Sequence, residues 1–195
     1  MGQISALRPS KLIIGLIYRD ILIKDKAVSI FKKRFGKIDF QGPELDFNYT
    51  DYYFPELGAP LKRAFISFDQ LRQEDELAEI KLHTNKLEER LSVKGKRRIN
   101  IDPGFLSGGK LILATTKDQC HRVYLGKGIF AEVTLFYKQK TFNPWPWTYP
   151  DYQSREYLEI FNSIRAIYQK QIKDAPQLSK GPSRRFTAEK GRKPL

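Results

Sequence analysis

NIDPGFLSGGKLILATTKDQCHRVYLGKGIFAEVTLFY, residues 100–137, combines the chain's most regular apolar pattern with most of its chemically versatile side chains. How it divides into elements decides what the fold is built around. Ile99 and Ile101 lead as a strand to Asp102, and Pro103-Gly104 is expected to end it. The run KLILATT (110–116) fits either a short helix capped by Ser107 or a strand, and its pattern supports both. Residues 121–125 and 129–137 then flank Gly126-Lys127-Gly128, the composition of a hairpin with a three-residue loop. That loop sets Leu125 opposite Ile129, hence Arg122 opposite Glu132 and His121 opposite Val133. Alternation puts Val123, Leu125, Ile129, Ala131 and Val133 on the apolar face.

Upstream, residues 11–18 (KLIIGLIY) form a near-continuous apolar run, as in a strand buried on both faces. A helix follows, with Ala27, Val28, Phe31 and Phe35 on one face, and Gly36 stops it. Residues 37–47, broken by Gly42 and Pro43, read as an extended edge segment. Ala64, Ile66 and Phe68 alternate as a strand. Glu74, Asp75 and Glu76 then open a helix whose stripe is Ile80, His83 or Thr84, Leu87 and Leu91. Strand, helix, strand, strand, helix, strand is the ferredoxin-like βαββαβ plan, an α+β class. The hairpin extends it, and so does a C-terminal helix capped by Ser154, with Tyr157, Phe161, Ile164, Tyr168 and Ile172 as its buried stripe. Between them FNPWPWTYPDY (142–152) holds three prolines among its rings and is expected to be irregular.

At 195 residues the chain suits one domain, since folding at this size buries roughly 70% of the unfolded surface. With 41% hydrophobic and 29% charged residues the composition is globular, not fibrous or disordered. The single cysteine, Cys120, excludes an internal disulfide and a cysteine-cluster metal site, and fits a reducing cytoplasm. The apolar run at residues 12–18 is too short for a secretory signal or a membrane span, and Ala6 stands where a myristoylation motif needs Ser or Thr. A net charge of +13 points to a polyanionic or phosphorylated partner. Residues 173–195 carry seven Lys or Arg against two acidic residues and few apolar anchors. They read as a basic, disordered tail beyond a single domain over residues 1–172.

The candidate chemistry lies around the junction TTKDQCH. His121 stands between two rigid elements, suited to proton transfer near neutral pH. Arg122 and Glu132 either neutralise each other across the hairpin or act as an anion clamp with a base or metal ligand. Asp102 either caps its turn or projects into a cleft, and Asp51 (TDYY) and Asp151 (WTYPDY) share that ambiguity. Gly104 to Lys110 satisfies GxxxxGK, but Leu111 replaces the magnesium-binding hydroxyl, so a true phosphate loop is not expected. Lys110 retains a looser role in holding phosphate. Two histidines without paired spacing argue against structural zinc.

Taken together and in this order, KLIIGLIYRD, TDYYFPELGAPLKRAFISF, IKLHTNKLEERL, GKRRINIDPGFL, KLILATTKDQCHRVYLGKGIFAEVTLFYK and WPWTYPDYQSREYLEIFNSIR resemble a prokaryotic family, domain of unknown function 4416. The resemblance covers about residues 10–168 and brings no activity with it, although some members carry a GTP-binding label. It implies TDYY, RRINIDPG, TTKDQCHR, the Glu132 strand and WTYPDY as signature patches. Asp51, Asn100, Asp102, Thr116, Lys117, His121, Arg122, Glu132 and Asp151 are therefore site candidates.

The resulting expectation is a cytoplasmic α+β protein that binds a phosphorylated ligand, a nucleotide or an RNA end. His121 would transfer protons, Lys117 and Arg122 would hold phosphate, and Asp102 or Glu132 would orient His121 or a divalent metal. Asn100, Thr116, Lys110, Asp51 and Asp151 complete the ligand-binding set. Whether a cofactor takes part is left open by the sequence. The alternatives are a non-catalytic RNA- or ribosome-associated module that uses the basic surface, and a structural scaffold.

Overall fold

The computed structural model describes residues 8–174. The expected basic tail lies almost wholly outside them. The first strand, β1 (Ser10–Tyr18), is buried along its whole length, as its unbroken apolar run requires. Asp20 caps the helix α1 (Ile21–Phe35) by accepting from the Leu22 N–H at 2.9 Å. Two short strands, β2 (Ile38–Gln41) and β3 (Leu45–Asp46), lie along one edge, with Gly42 and Pro43 between them. A single helical turn, α2 (Phe54–Leu57), precedes the long strand β4 (Lys62–Arg72). After a 3-10 turn at Glu74–Glu76 come α3 (Leu77–Arg90) and β5 (Ile99–Leu106).

β5 runs through Pro103 and Gly104 instead of stopping at them. β6 (Lys110–Thr115) pairs with β5 only from Gly104 onward, so on that side no rung requires an N–H from Pro103. Gly104 suits the close approach, because a Cβ there would lie 2.3 Å from the Ile112 carbonyl oxygen. KLILAT is therefore a strand. It is followed by β7 (Val123–Gly126), β8 (Ile129–Lys138) and β9 (Thr141–Pro144). β9 takes three residues of the segment read as irregular, and a 3-10 turn at Pro150–Gln153 takes more. The final helix, α4 (Arg155–Asp174), starts at Ser154, whose Oγ accepts from the Tyr157 N–H.

All nine strands form one antiparallel sheet in the order β2-β4-β1-β5-β6-β8-β7, with β3 beside β4 and β9 beside β8. The chain is thus α+β, with four helices among the described residues and a large antiparallel sheet. α1 and α3 cover one face through Phe31, Phe35, Ile80 and Leu87. α4 covers the other through Tyr157, Ile160, Phe161, Ile164 and Tyr168, each apolar side chain contributing roughly 1.5–3 kcal/mol on burial.

In the hairpin, Val123 faces Ala131 and Tyr124 faces Phe130, the register expected from the sequence. Gly126, not Leu125, pairs with Ile129: Leu125 bulges out and the turn proper is Lys127-Gly128. Ile129 is buried, but Val123 and Leu125 are 68% and 41% exposed, so the apolar face reaches only half of the hairpin. β7 is an edge strand, paired only with β8 among the described residues. Among the described residues no helix is long and apolar enough to cross a membrane.

Candidate functional site

The ends of β1, β5 and β6 meet Glu132 of β8 under two tyrosine-rich segments, Tyr49–Tyr53 and Tyr149–Tyr152. Together with Lys81, Asn85 and Glu88 of α3 they enclose a cleft of about 540 Å³. That volume lies in the range of small-molecule sites. Local turns aim the rim: the Thr115 Oγ accepts from the Lys117 N–H at 3.2 Å, and the Thr50 Oγ from the Tyr52 N–H at 3.1 Å.

On the floor lies Arg63, a side chain only 1% exposed. Its Nη1 donates to Asp102 at 3.1 Å and its Nη2 to the Tyr152 hydroxyl, while its Nε is buried without a partner. The guanidinium also sits 4.6 Å from the Phe65 ring centre. Asp102 accepts a second bond from Asn100 at 2.8 Å and has Lys81 at 3.8 Å. Lys81 itself donates to the Ile101 carbonyl at 2.8 Å. Beside this group Glu88 accepts from the Ile101 N–H at 2.6 Å and from Arg97 at 3.1 Å.

Burial dominates the electrostatics of the acids. It raises Glu88 above the ordinary carboxylate value, although Lys81, the Ile101 N–H and Arg97 pull the other way. Burial likewise raises Asp151, 7% exposed, against the pull of Arg63 and the Tyr152 N–H, and the neighbouring Asp102 charge adds to the rise. The Tyr53 and Tyr152 hydroxyls are raised by the same desolvation. Asp102 and Asp151 therefore flank Arg63 in unlike settings: one bound by three donors or cations, the other raised by burial.

On the opposite wall Arg122 donates to Glu132 at 2.8 Å, to the Lys117 carbonyl at 2.9 Å and to the Tyr149 hydroxyl at 2.8 Å. Glu132 is 3% exposed and also accepts from Thr134. Lys117 differs from Arg63, Lys81, Arg97 and Arg122, each of which faces a carboxylate. Its ammonium lies 4.6 Å from the Tyr52 ring centre and 3.2 Å from the Tyr52 hydroxyl.

Of the residues singled out in the sequence, Asn100, Asp102, Thr116, Lys117, Arg122, Glu132 and Asp151 line this cleft. His121, Lys110 and Asp51 do not. His121 lies behind Glu132, its Nε2 3.4 Å from the same carboxylate oxygen that Arg122 binds. It lines a separate groove and stacks on Trp147 at 5.5 Å, which stacks on Trp145 at 5.2 Å. Lys110 starts β6 whereas the cleft lies at its Thr115 end, and Lys110 faces Glu74 at 3.5 Å. The GxxxxGK segment joins two antiparallel strands, so no helix N-terminus follows it to hold phosphate. Asp51 sits in the exposed loop, where its carbonyl accepts from the Phe54 N–H. The hairpin pairing that opposed Arg122 to Glu132 is realised as the ion pair.

Sequence reasoning did not single out Arg63, Lys81 or Glu88. Each left a signal. Gly15 interrupts the apolar run of β1 because a Cβ there would lie 2.8 Å from the Arg63 Nη2. Lys81, Thr84 and Glu88 recur at i, i+3 and i+7 beside the apolar stripe of α3, which turns charged groups inward. Among the described residues no group of three or more His, Cys, Asp or Glu is placed to hold a metal ion.

Fold and site define an α+β protein with a cleft at its strand ends, walled by tyrosines and floored by paired charges. A family model described as Domain of unknown function (DUF4416) matches residues 8–168, and the chain belongs to that family. No curated protein and no solved structure matches it.

Proposed function

We propose that the cleft binds a phosphorylated ligand, a nucleotide or an RNA end, and carries out acid–base chemistry at its phosphoester. The observation that carries this reading is Lys117, a cation on the wall without a carboxylate partner among the described residues, held over Tyr52 beside Thr115 and Thr116. An anion at this position gains an ammonium and two hydroxyls without displacing an ion pair. The exposed rings of Tyr52 and Tyr149 offer faces for a base. Asp151, kept high by burial, supplies a proton to a leaving oxygen, and Asp102, fixed by Arg63 and Asn100, orients the attacking group. His121 acts only through Glu132, as a positioning residue for Arg122.

We also infer a ferredoxin-like core in the half made of β1, α1, β2, β4, α3 and β5. The strand order β2-β4-β1-β5 and its antiparallel directions support that reading, with β6–β9 and α4 as extensions. The single exposed cysteine supports a cytoplasmic setting.

The test is a thermal-shift screen of nucleoside mono-, di- and triphosphates, guanine nucleotides included, and of short RNAs with 5′ or 3′ phosphates, against unphosphorylated nucleosides. A phosphorylated compound is expected to raise the melting temperature where its nucleoside does not. If a stabilising compound is also turned over by the wild type but not by Asp151→Asn, the cleft is catalytic. Stabilisation without turnover favours the binding module. No shift with any compound favours the scaffold.

A further inference from the structure

Arg97 and Arg98, the cations at the exit of α3, are engaged inside the molecule by Glu56, Glu88 and Asp20. A surface for a polyanion therefore has to lie elsewhere. α1 and α3 follow the antiparallel strands β1 and β4 and pack on one face of the sheet, so they run antiparallel to each other. Their seam is fixed where Arg34 leans over the Phe35 ring at 5.7 Å and that ring meets His83 of α3 at 6.2 Å. Lys86 and Arg90 follow His83 at i+3 and i+7 and share its side of α3. Lys26 and Lys33, seven residues apart, extend the row on α1.

All five cations are exposed, and among the described residues none pairs with a carboxylate. Some exposed cations elsewhere are matched, Lys62 with Asp46, Lys127 with Glu79 and Arg155 with Glu159. Along the second half of α3 the exposed acid is Glu89 alone. His83, between the rows, is held below its ordinary value first by burial and then by Arg34, Arg90 and Lys86, a sign that positive potential converges there. None of the five cations lines the cleft.

We propose that the α1–α3 seam is a docking surface for the phosphate backbone of double-helical nucleic acid. Two rows of cations on helices about 8–10 Å apart suit a ridge of phosphates. The exposed rings, Tyr49, Tyr52, Phe54, Tyr124, Trp147 and Tyr149, all lie outside α1 and α3, so the seam offers no platform on which unpaired bases stack. A duplex needs none, since it hides its bases and presents its backbone. The same lack of rings argues against a membrane interface, which favours aromatic anchors.

The experiment is fluorescence anisotropy of the full chain with a labelled duplex of about 20 base pairs, RNA or DNA, at several salt concentrations between about 50 and 200 mM. Engagement of four or five phosphates predicts a slope of log K against log salt near −4. The variant Lys33→Gln/Arg34→Gln/Lys86→Gln is expected to keep the wild-type melting temperature, lose at least about tenfold in affinity at low salt and flatten the slope by about three units. An unchanged slope would assign the binding to the basic C-terminal residues and overturn the proposal. Equal affinity for a single strand, binding to anionic vesicles in place of the duplex, or no duplex binding at about 50 mM salt would overturn it as well.

Discussion

The Arg63 guanidinium meets the Asp102 carboxylate at 3.1 Å across β1, although their strands, β4 and β5, are not neighbours in the sheet. Gly15 of β1 pairs with Asp102 on one side and Phe65 on the other, and its missing side chain is what lets the pair close over the strand. Substituting Gly15 by Ala is therefore expected to destabilise the fold by about 1–3 kcal/mol, because the new methyl meets Nη2 at 2.8 Å and the Phe65 ring at 3.0 Å. Arg63→Met is expected to remove the contact with Nη2 while leaving that with Phe65, so that Gly15→Ala costs less in its background. Urea unfolding of the two single variants and the double variant measures this, and strictly additive losses would contradict the account.

The raised acids give a pH dependence of definite sign. An acid whose native value is raised holds its proton in the folded chain after the unfolded chain has lost it. Stability is therefore fully present below the unfolded value and falls as pH rises from there to the native value. For Asp151 the fall begins near 3.8, and for Glu88 near 4.5. Asp151→Asn is expected to flatten the decline on the acid side of neutrality. Urea midpoints measured from pH 4 to pH 7 check it, and an unchanged slope would rule out a desolvated Asp151.

Arg122 and Glu132 form a pair with side chains 3% and 2% exposed, so removing one partner leaves a buried charge. Arg122→Ala is expected to cost about 3–5 kcal/mol, and adding Glu132→Gln to recover part of it. His121→Ala, which leaves that pair in place, is expected to cost far less and to weaken ligand binding by less than about tenfold, since His121 stands outside the cleft. Thermal unfolding of the four proteins separates these outcomes. A loss from His121→Ala as large as that from Arg122→Ala would give the histidine a direct role.

Much of this was legible in the sequence, for reasons that can be named. The buried run of β1, the stripe of α4 and the hairpin register follow from periodicity, and periodicity survives folding. The Arg122–Glu132 pair followed from counting outward from one glycine-rich turn. Arg63 was not legible, because a basic residue two places from Phe65 in a strand carries no sign of facing inward; only Gly15, 48 positions earlier, records it. Pro103 misled because a proline ends a strand only where its N–H is needed by a neighbour. His121 misled because a junction residue can face either side of the strand it leads into, and the Trp145–Trp147 stack draws it to the far side of Glu132.

The central claim is that Lys117 receives phosphate in the cleft. The most direct measurement is isothermal titration of the nucleotide that stabilises the protein most, alongside its unphosphorylated nucleoside, into wild type and Lys117→Ala. The account predicts that Lys117→Ala folds with unchanged stability, binds the nucleotide about 10- to 100-fold more weakly, as expected for loss of a charged hydrogen bond, and binds the nucleoside as the wild type does. Equal affinity of the two proteins for the phosphorylated compound would contradict it.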